Sequence, residues 1–114
     1  MKLEFARGDS YEKGIIFKDK ESEETITEEF DEVFFTVKKS ANEHDYLFQK
    51  KKSTGGITYD GEGHYTIHIV PNDTNDLRFA DYDCDIEVKN NSGYKKTFYG
   101  TLKLTKEVTH QYNE

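Results

Sequence analysis

The sequence predicts an all-β fold, an antiparallel two-sheet β-sandwich of about seven strands. Apolar and polar residues alternate with a period of two along most of the chain, whereas the helical period of about 3.6 is almost absent. Gly, Asn, Asp and Ser cluster between the alternating segments, at short and fairly even spacing. Together these features are typical of strands that each turn one face to a core and the other to water.

The length and composition describe one small domain. A chain of 114 residues fits a single domain with a modest core. Hydrophobic residues make up only 33% of the chain, but aromatic residues reach 14%, and their large rings compensate for the shortage of aliphatic side chains. We therefore predict one β-sandwich domain over residues 1–107, followed by a polar C-terminal tail over residues 108–114.

Two segments show the strand pattern most clearly. In residues 32–39, Val33, Phe35 and Val37 fall on one face of the predicted strand. In residues 82–89 apolar and charged residues alternate without interruption. The predicted strands are residues 11–19, 32–39, 46–52, 57–59, 64–70, 82–89 and 94–106.

The acidic segment 20–31 is predicted to connect two strands. It is rich in glutamate and poor in apolar residues, which is typical of a solvated surface. We expect an exposed loop with a short extended piece near Thr25–Thr27. A frayed helix is the alternative, since glutamate is a fair helix former.

A corner is predicted where the segment 64–70 ends. Pro71 ends that strand because proline cannot donate a hydrogen bond to the ladder. Asn72 or Asp73 is expected to cap a single helical turn that runs to Leu77.

Tyr82 and Cys84 are predicted to fill the core behind this corner. The Tyr82 hydroxyl is expected to bond to nearby backbone, as in a tyrosine corner. Cys84 is the only cysteine, which excludes an internal disulfide and a cysteine-based zinc cluster. A single cysteine among alternating apolar residues is most often a buried small hydrophobe.

The charge balance argues against two classes of partner. The formal net charge of −7 argues against nucleic-acid binding, which needs clustered Lys and Arg, and against an anionic membrane surface. No apolar run approaches the roughly 18 residues of a membrane span, and the N-terminus lacks the apolar core of a signal peptide. We therefore expect synthesis and folding in a cytoplasm.

The aspartates at positions 81, 83 and 85 only partly match a calcium loop. Asp81, Asp83 and Asp85 have the opening spacing, but such a loop needs Gly at its sixth position and Glu at its twelfth. Those positions hold Ile86 and Ser92. We therefore interpret the aspartates as the solvent side of a strand.

Neither the histidines nor any catalytic motif predicts a reactive centre. His64 and His68 have the spacing of two ligands on a helix, but four residues of strand span about 13 Å, too far for one metal ion. His44 and His110 belong to no motif. The sequence contains no nucleophile elbow, metalloprotease motif or phosphate loop, so we predict neither an enzyme nor a cofactor.

The tyrosines leave two interpretations open. Tyr11, Tyr59, Tyr94 and Tyr99, if exposed, are suited to stacking on sugars or to a protein interface, where tyrosine is enriched. Alternatively they cover the faces of the sheets. A carbohydrate-binding β-sandwich is therefore the alternative function.

Two resemblances add to these patterns. The stretch around Tyr82 and Cys84 resembles the second-cysteine motif of immunoglobulin domains, which implies an immunoglobulin-like sandwich lacking the disulfide. Over nearly the whole chain, the sequence resembles small β-sandwich domains of tailed bacteriophages and prophages, namely the N-terminal domains of baseplate upper proteins and related tail-fibre proteins. The matching features are Arg7-Gly8-Asp9 before the first long strand, a Pro-x-Asp-Thr-x-x-Leu turn (Pro71, Asp73, Thr74 and Leu77), and a following strand with Tyr82, Cys84, Asp85, Ile86 and Val88.

The phage resemblance implies a non-enzymatic structural role, as a module that attaches fibre or receptor-binding parts to a tail baseplate. It implies partners among other tail proteins or further copies of the chain, and a final location in the virion or a role as an assembly helper. Strand edges and the acidic segment 20–31 are the expected contact surfaces. We interpret the Arg-Gly-Asp triplet as a turn with positive φ at Gly8 and not as an integrin ligand.

Overall fold

The computed structural model describes residues 1–106, which form two β-sheets packed around one core. Residues 107–114, including the predicted tail, lie outside the described residues. The strands are β1 (Lys2–Ala6), β2 (Tyr11–Ile16), β3 (Glu32–Lys38), β4 (Phe48–Lys51), β5 (Ile57–Gly61), β6 (His64–Ile69), β7 (Asp81–Lys89) and β8 (Lys95–Thr105). A 3₁₀ turn (Lys52–Thr54) follows β4, and a single helical turn, α1 (Pro71–Thr74), follows β6.

The strand order is that of an immunoglobulin-like sandwich. The larger sheet has the order β1-β8-β7-β3-β4, and the smaller has the order β2-β6-β5. The run β8-β7-β3-β4 corresponds to strands G-F-C-C′ of an immunoglobulin domain, and β2-β6-β5 corresponds to B-E-D. The predicted two-sheet β-sandwich without a disulfide is therefore confirmed.

The structure differs from the prediction at the N-terminus, where β1 is an additional strand. It pairs in parallel with β8, with Leu3 opposite Leu102 and Phe5 opposite Leu104. All other strand pairs are antiparallel. Leu3 and Phe5 do alternate in the sequence, but two apolar residues are too few to mark a strand, and the alternation is the same in parallel and antiparallel strands.

Much of the core consists of inward side chains predicted from the alternation, and Leu3, Phe5 and Phe30 add to it. Val33, Phe35 and Val37 of β3 are fully buried, and they oppose Val88, Ile86 and Cys84 of β7 in register. The smaller sheet contributes buried residues from β6 and β5, among which Tyr65 is the largest fully buried side chain. The buried hydrophobic residues of both sheets form a single cluster.

The acidic segment 20–31 forms a loop without a regular element, apart from an isolated bridge between Lys18 and Thr25. Its apolar residues anchor it to the sandwich. The Ile26 amide donates a hydrogen bond to the Phe17 carbonyl at 2.8 Å, and the Phe30 side chain is buried. The expected extended piece near Thr25 is therefore present, and the helical alternative does not occur.

Candidate functional site

The connection between β6 and β7 is a corner built on α1. Pro71 occupies the first helical position, where the N–H that proline lacks would have no intrahelical partner. The Asp73 carboxylate accepts a hydrogen bond from the Val70 amide at 2.8 Å and lies 2.6 Å from the Lys50 ammonium. Val70 is therefore the N-cap, and Asp73, at the third helical position, binds its amide, so the prediction that Asn72 or Asp73 is the cap is wrong. The turn also ends at Thr74, before the predicted Leu77.

The Arg-Gly-Asp turn after β1 packs directly on this corner. The Gly8 amide donates a hydrogen bond of 2.8 Å to the hydroxyl of Thr74, a fully buried residue 66 positions further along the chain. The Arg7 guanidinium donates to the Leu77 carbonyl at 3.2 Å and lies 4.2 Å from the centre of the Phe79 ring. Gly8 has a φ of 82°, which explains why this turn requires glycine.

Tyr82 and Cys84 lie behind the corner, on the inward face of β7. The Tyr82 hydroxyl donates a hydrogen bond of 2.7 Å to the Arg78 carbonyl, four residues earlier, which is the bond expected of a tyrosine corner. Burial raises the pKa of the Cys84 thiol to about 12, and the neighbouring Asp85 carboxylate adds to this effect. The thiol is therefore protonated at neutral pH and is a poor nucleophile.

The histidines are not arranged as metal ligands. His68 has protein partners at both ring nitrogens, with Glu12 2.8 Å from Nδ1 and Thr58 2.9 Å from Nε2. His64 is exposed on the same strand. No group of three or more potential ligand side chains (His, Cys, Asp or Glu) occurs among residues 1–106, and His110 lies outside them.

The three aspartates of β7 project from the outer face of the larger sheet. Asp81 is exposed, and the Asp83 carboxylate accepts a hydrogen bond from the Ala41 amide at 2.7 Å. Asp85 lies half-buried at the middle of the strand. Burial raises the pKa of its carboxyl group, and the neighbouring Glu87 raises it further.

The four tyrosines separate into two pairs. Tyr11 stacks on Phe5 with 4.5 Å between ring centres, and Tyr59 packs against the core while its hydroxyl donates to a backbone carbonyl. Tyr11 and Tyr59 are partly buried, so for these two the alternative that they cover the faces of the sheets holds. Tyr94 and Tyr99 are exposed over 46% and 74% of their surface.

A groove with a cavity volume of about 880 Å³ lies at the end of the sandwich opposite the corner. It lies between the β2–β3 connection and the β7–β8 hairpin. Its floor is the end of the core, formed by Phe17, Phe30, Val88 and Phe98, and Tyr94 stands beside it. We call this cavity the end groove.

Ring contacts hold the aromatic side chains of the end groove in place. Phe17 meets Phe30 edge to face with 5.4 Å between ring centres, and the Phe98 ring centre also lies 5.4 Å from that of Phe17. Phe30 is stacked with Tyr94, with 6.1 Å between ring centres and 13° between ring planes. The Phe30 amide also donates to the Tyr65 hydroxyl at 2.9 Å, which fixes the backbone at this point.

The end groove was not predicted from the sequence. One signal was present, because Phe30 is a lone aromatic residue in a segment otherwise dominated by acids. An isolated apolar residue in such a segment indicates a point where the loop returns to the core. The convergence of Phe30 with Tyr94 depends on the pairing of distant strands, which the local pattern does not contain.

The topology, the corner and the end groove define an immunoglobulin-like β-sandwich with an aromatic groove at one end. Comparison of the chain with protein-family models, curated proteins and solved structures finds no match. Among the helices of residues 1–106, none has the length and apolar character needed to cross a membrane.

Proposed function

We propose that the chain is a non-enzymatic structural protein of a phage or prophage tail, which acts by protein–protein contact in or near the baseplate. The observation that carries this proposal is the contact between Arg7-Gly8 and the Pro71–Leu77 corner. These are two of the motifs on which the resemblance to baseplate domains rests. We take the packing of these two remote motifs into one unit as support for the resemblance.

The chemistry of the corner supports a structural role. The Asp73 carboxylate is engaged by Lys50 and by backbone, and the Thr74 hydroxyl is engaged by Gly8. The Tyr82 hydroxyl is used within the corner itself. Polar groups that are engaged in this way stabilise a fold and are not available to bind or activate a substrate.

The sandwich offers several surfaces for assembly. Strands β1 and β4 form the edges of the larger sheet, and β2 and β5 form the edges of the smaller one. Edge strands have unpaired backbone groups that can pair with another chain. Tyr99, at 74% exposure on the outer face of the larger sheet, adds the kind of side chain that is enriched at protein interfaces.

Particles produced by the strain that encodes the chain provide the test. We expect an antibody against the purified protein to label the tail end of purified particles, or, for an assembly helper, deletion of its gene to yield particles without a complete baseplate. Restoration by a plasmid copy with an intact corner, and not by one carrying Thr74→Asp, would tie the defect to this protein. Normal infectious particles after deletion, with no chain in the wild-type particles, would refute both forms of the proposal.

A further inference from the structure

The end groove has the architecture of a small-ligand site. Its volume of about 880 Å³ lies within the range of roughly 300–1,000 Å³ that is usual for ligand pockets, and its floor is aromatic with polar groups around it. The loops that form it lie at one end of the sandwich, which is also where the variable domains of immunoglobulins carry their recognition loops. The corner lies at the opposite end of the sandwich, so residues of the groove can be substituted without altering the contacts of the corner.

Tyr94 is the exposed aromatic surface of the end groove. The residue is 46% exposed, and the buried Phe30 ring is nearly parallel to its ring. The Asn90 amide donates to the Tyr94 carbonyl at 2.9 Å, which closes the β7–β8 hairpin and fixes the position of this residue. A ring held in this way presents a flat apolar surface at little cost in conformational entropy.

The rim of the end groove carries balanced charge. Three lysines and three carboxylates line it, although the whole chain has a net charge of −7. Five of these six side chains come from residues 18–23, where the first four alternate in sign, and Lys96 comes from β8. The two sets are Lys18, Lys20 and Lys96, and Asp19, Glu21 and Glu23.

Hydrogen bonds define the turn that carries the three carboxylates of the rim. The Asp19 carboxylate accepts hydrogen bonds from the Glu21 amide at 2.9 Å and from the Ser22 amide at 3.0 Å. The Glu23 amide donates to the Asp19 carbonyl at 2.8 Å, which closes the turn. Glu21 and Glu23 thereby extend from a defined backbone and are not engaged in the ion pairs of the described residues.

The charge pattern narrows the class of ligand. The three carboxylates would repel a polyanion, and the three lysines would repel a polycation. A wholly apolar ligand would remove these charges from water without compensation, which is costly. Hydroxyl groups both donate to carboxylates and accept from ammonium groups, so a neutral molecule with many hydroxyls and one flat apolar face matches floor and rim together.

We propose that the end groove binds a neutral oligosaccharide, with one sugar ring stacked on Tyr94 and its hydroxyls bonded to the charged rim. This inference is independent of the proposed role in a phage tail. It requires only the folded domain, so the two proposals can fail separately.

Binding of defined oligosaccharides to the full chain tests the proposal. Calorimetric titration uses neutral hexose and N-acetylhexosamine oligomers, with uronate oligomers and a proline-rich peptide as competing ligand classes. We expect at least one neutral oligomer to bind and the uronate oligomers and the peptide to bind more weakly. Absence of binding to every neutral oligomer, or tighter binding of the peptide, would overturn the proposal.

Matched tyrosine variants locate the site. We expect Tyr94→Ala to weaken binding by about tenfold or more, from loss of one ring contact, and Tyr94→Trp to retain it. Tyr99→Ala is the control, since Tyr99 is the more exposed residue and does not line the end groove. Equal loss of binding in the Tyr94 and Tyr99 alanine variants, with unchanged melting temperatures, would refute the assignment to this groove.

Discussion

Replacing Tyr82 with phenylalanine removes a single oxygen atom from the corner and leaves the ring in place. The ring is 6% exposed, so its packing in the core is retained, and the change is confined to the bond from its hydroxyl to the Arg78 carbonyl. A hydrogen bond of this kind contributes about 0.5–1.5 kcal/mol net to stability. Because Arg78 is an exposed residue, water can reach its carbonyl in the variant, and we expect a loss of about 1 kcal/mol.

For a domain of this size, a loss of about 1 kcal/mol lowers the melting temperature by about 4 °C. Urea denaturation followed by far-ultraviolet circular dichroism measures the free energy of unfolding, and calorimetry measures the melting temperature. Tyr99→Phe is the control, because that side chain is 74% exposed, and it should leave both quantities within about 0.5 kcal/mol and 2 °C of the wild type.

The reasoning depends on the Tyr82 hydroxyl being a stabilising group of the corner. If Tyr82→Phe has the same unfolding free energy as the wild type, or a higher one, the hydroxyl contributes nothing and the corner does not depend on it. If the Tyr99 variant loses as much stability as the Tyr82 variant, the effect is general to tyrosine hydroxyls and not specific to this bond.

Three further changes test other parts of the structure. Gly63→Ala should lower the free energy of unfolding, measured by urea denaturation, by about 1–3 kcal/mol more than Gly61→Ala does. Both glycines have positive φ, but only at Gly63 would a Cβ overlap the Ile26 carbonyl oxygen. Equal losses in the two variants would contradict this packing. Cys84, with its pKa raised to about 12 by burial, should react with iodoacetamide at pH 8 only when urea unfolds the chain; rapid reaction of the native protein would contradict its burial. Asp85→Asn should raise the melting temperature at pH 7, because a carboxyl group whose pKa is raised by burial destabilises the fold when it is ionised. This gain should vanish at pH values low enough to protonate Asp85 in the native state. A gain that does not change with pH would contradict the explanation.

The sequence predicted best those strands in which one face is buried and the other is wet. In β3 and β7 every second side chain enters the core, so the alternation alone shows which residues lie inside. β1 was missed because only Leu3 and Phe5 indicate it. Its parallel direction relative to β8 could not be predicted either, because parallel and antiparallel strands have the same alternation of side chains. The corner was located from Pro71, but the contact that fixes it comes from Gly8, at the other end of the domain.

The end groove could not be predicted from local patterns. Phe30 belongs to an acidic connection and Tyr94 to a hairpin, and nothing in either segment indicates that their rings stack. Their meeting follows from the packing of the two sheets, which brings the β2–β3 connection over the end of β7 and β8.

The sequence by itself determined the class of fold, the inward residues of most strands and the place of the corner, because burial on one face imposes a pattern that can be read within a few residues. The tertiary structure decided the parallel pairing of β1, the union of Arg7-Gly8 with the corner, and the groove beside Tyr94. Each of these joins residues that are distant in sequence, and their proximity depends on how the sheets are ordered and packed, which local alternation does not specify.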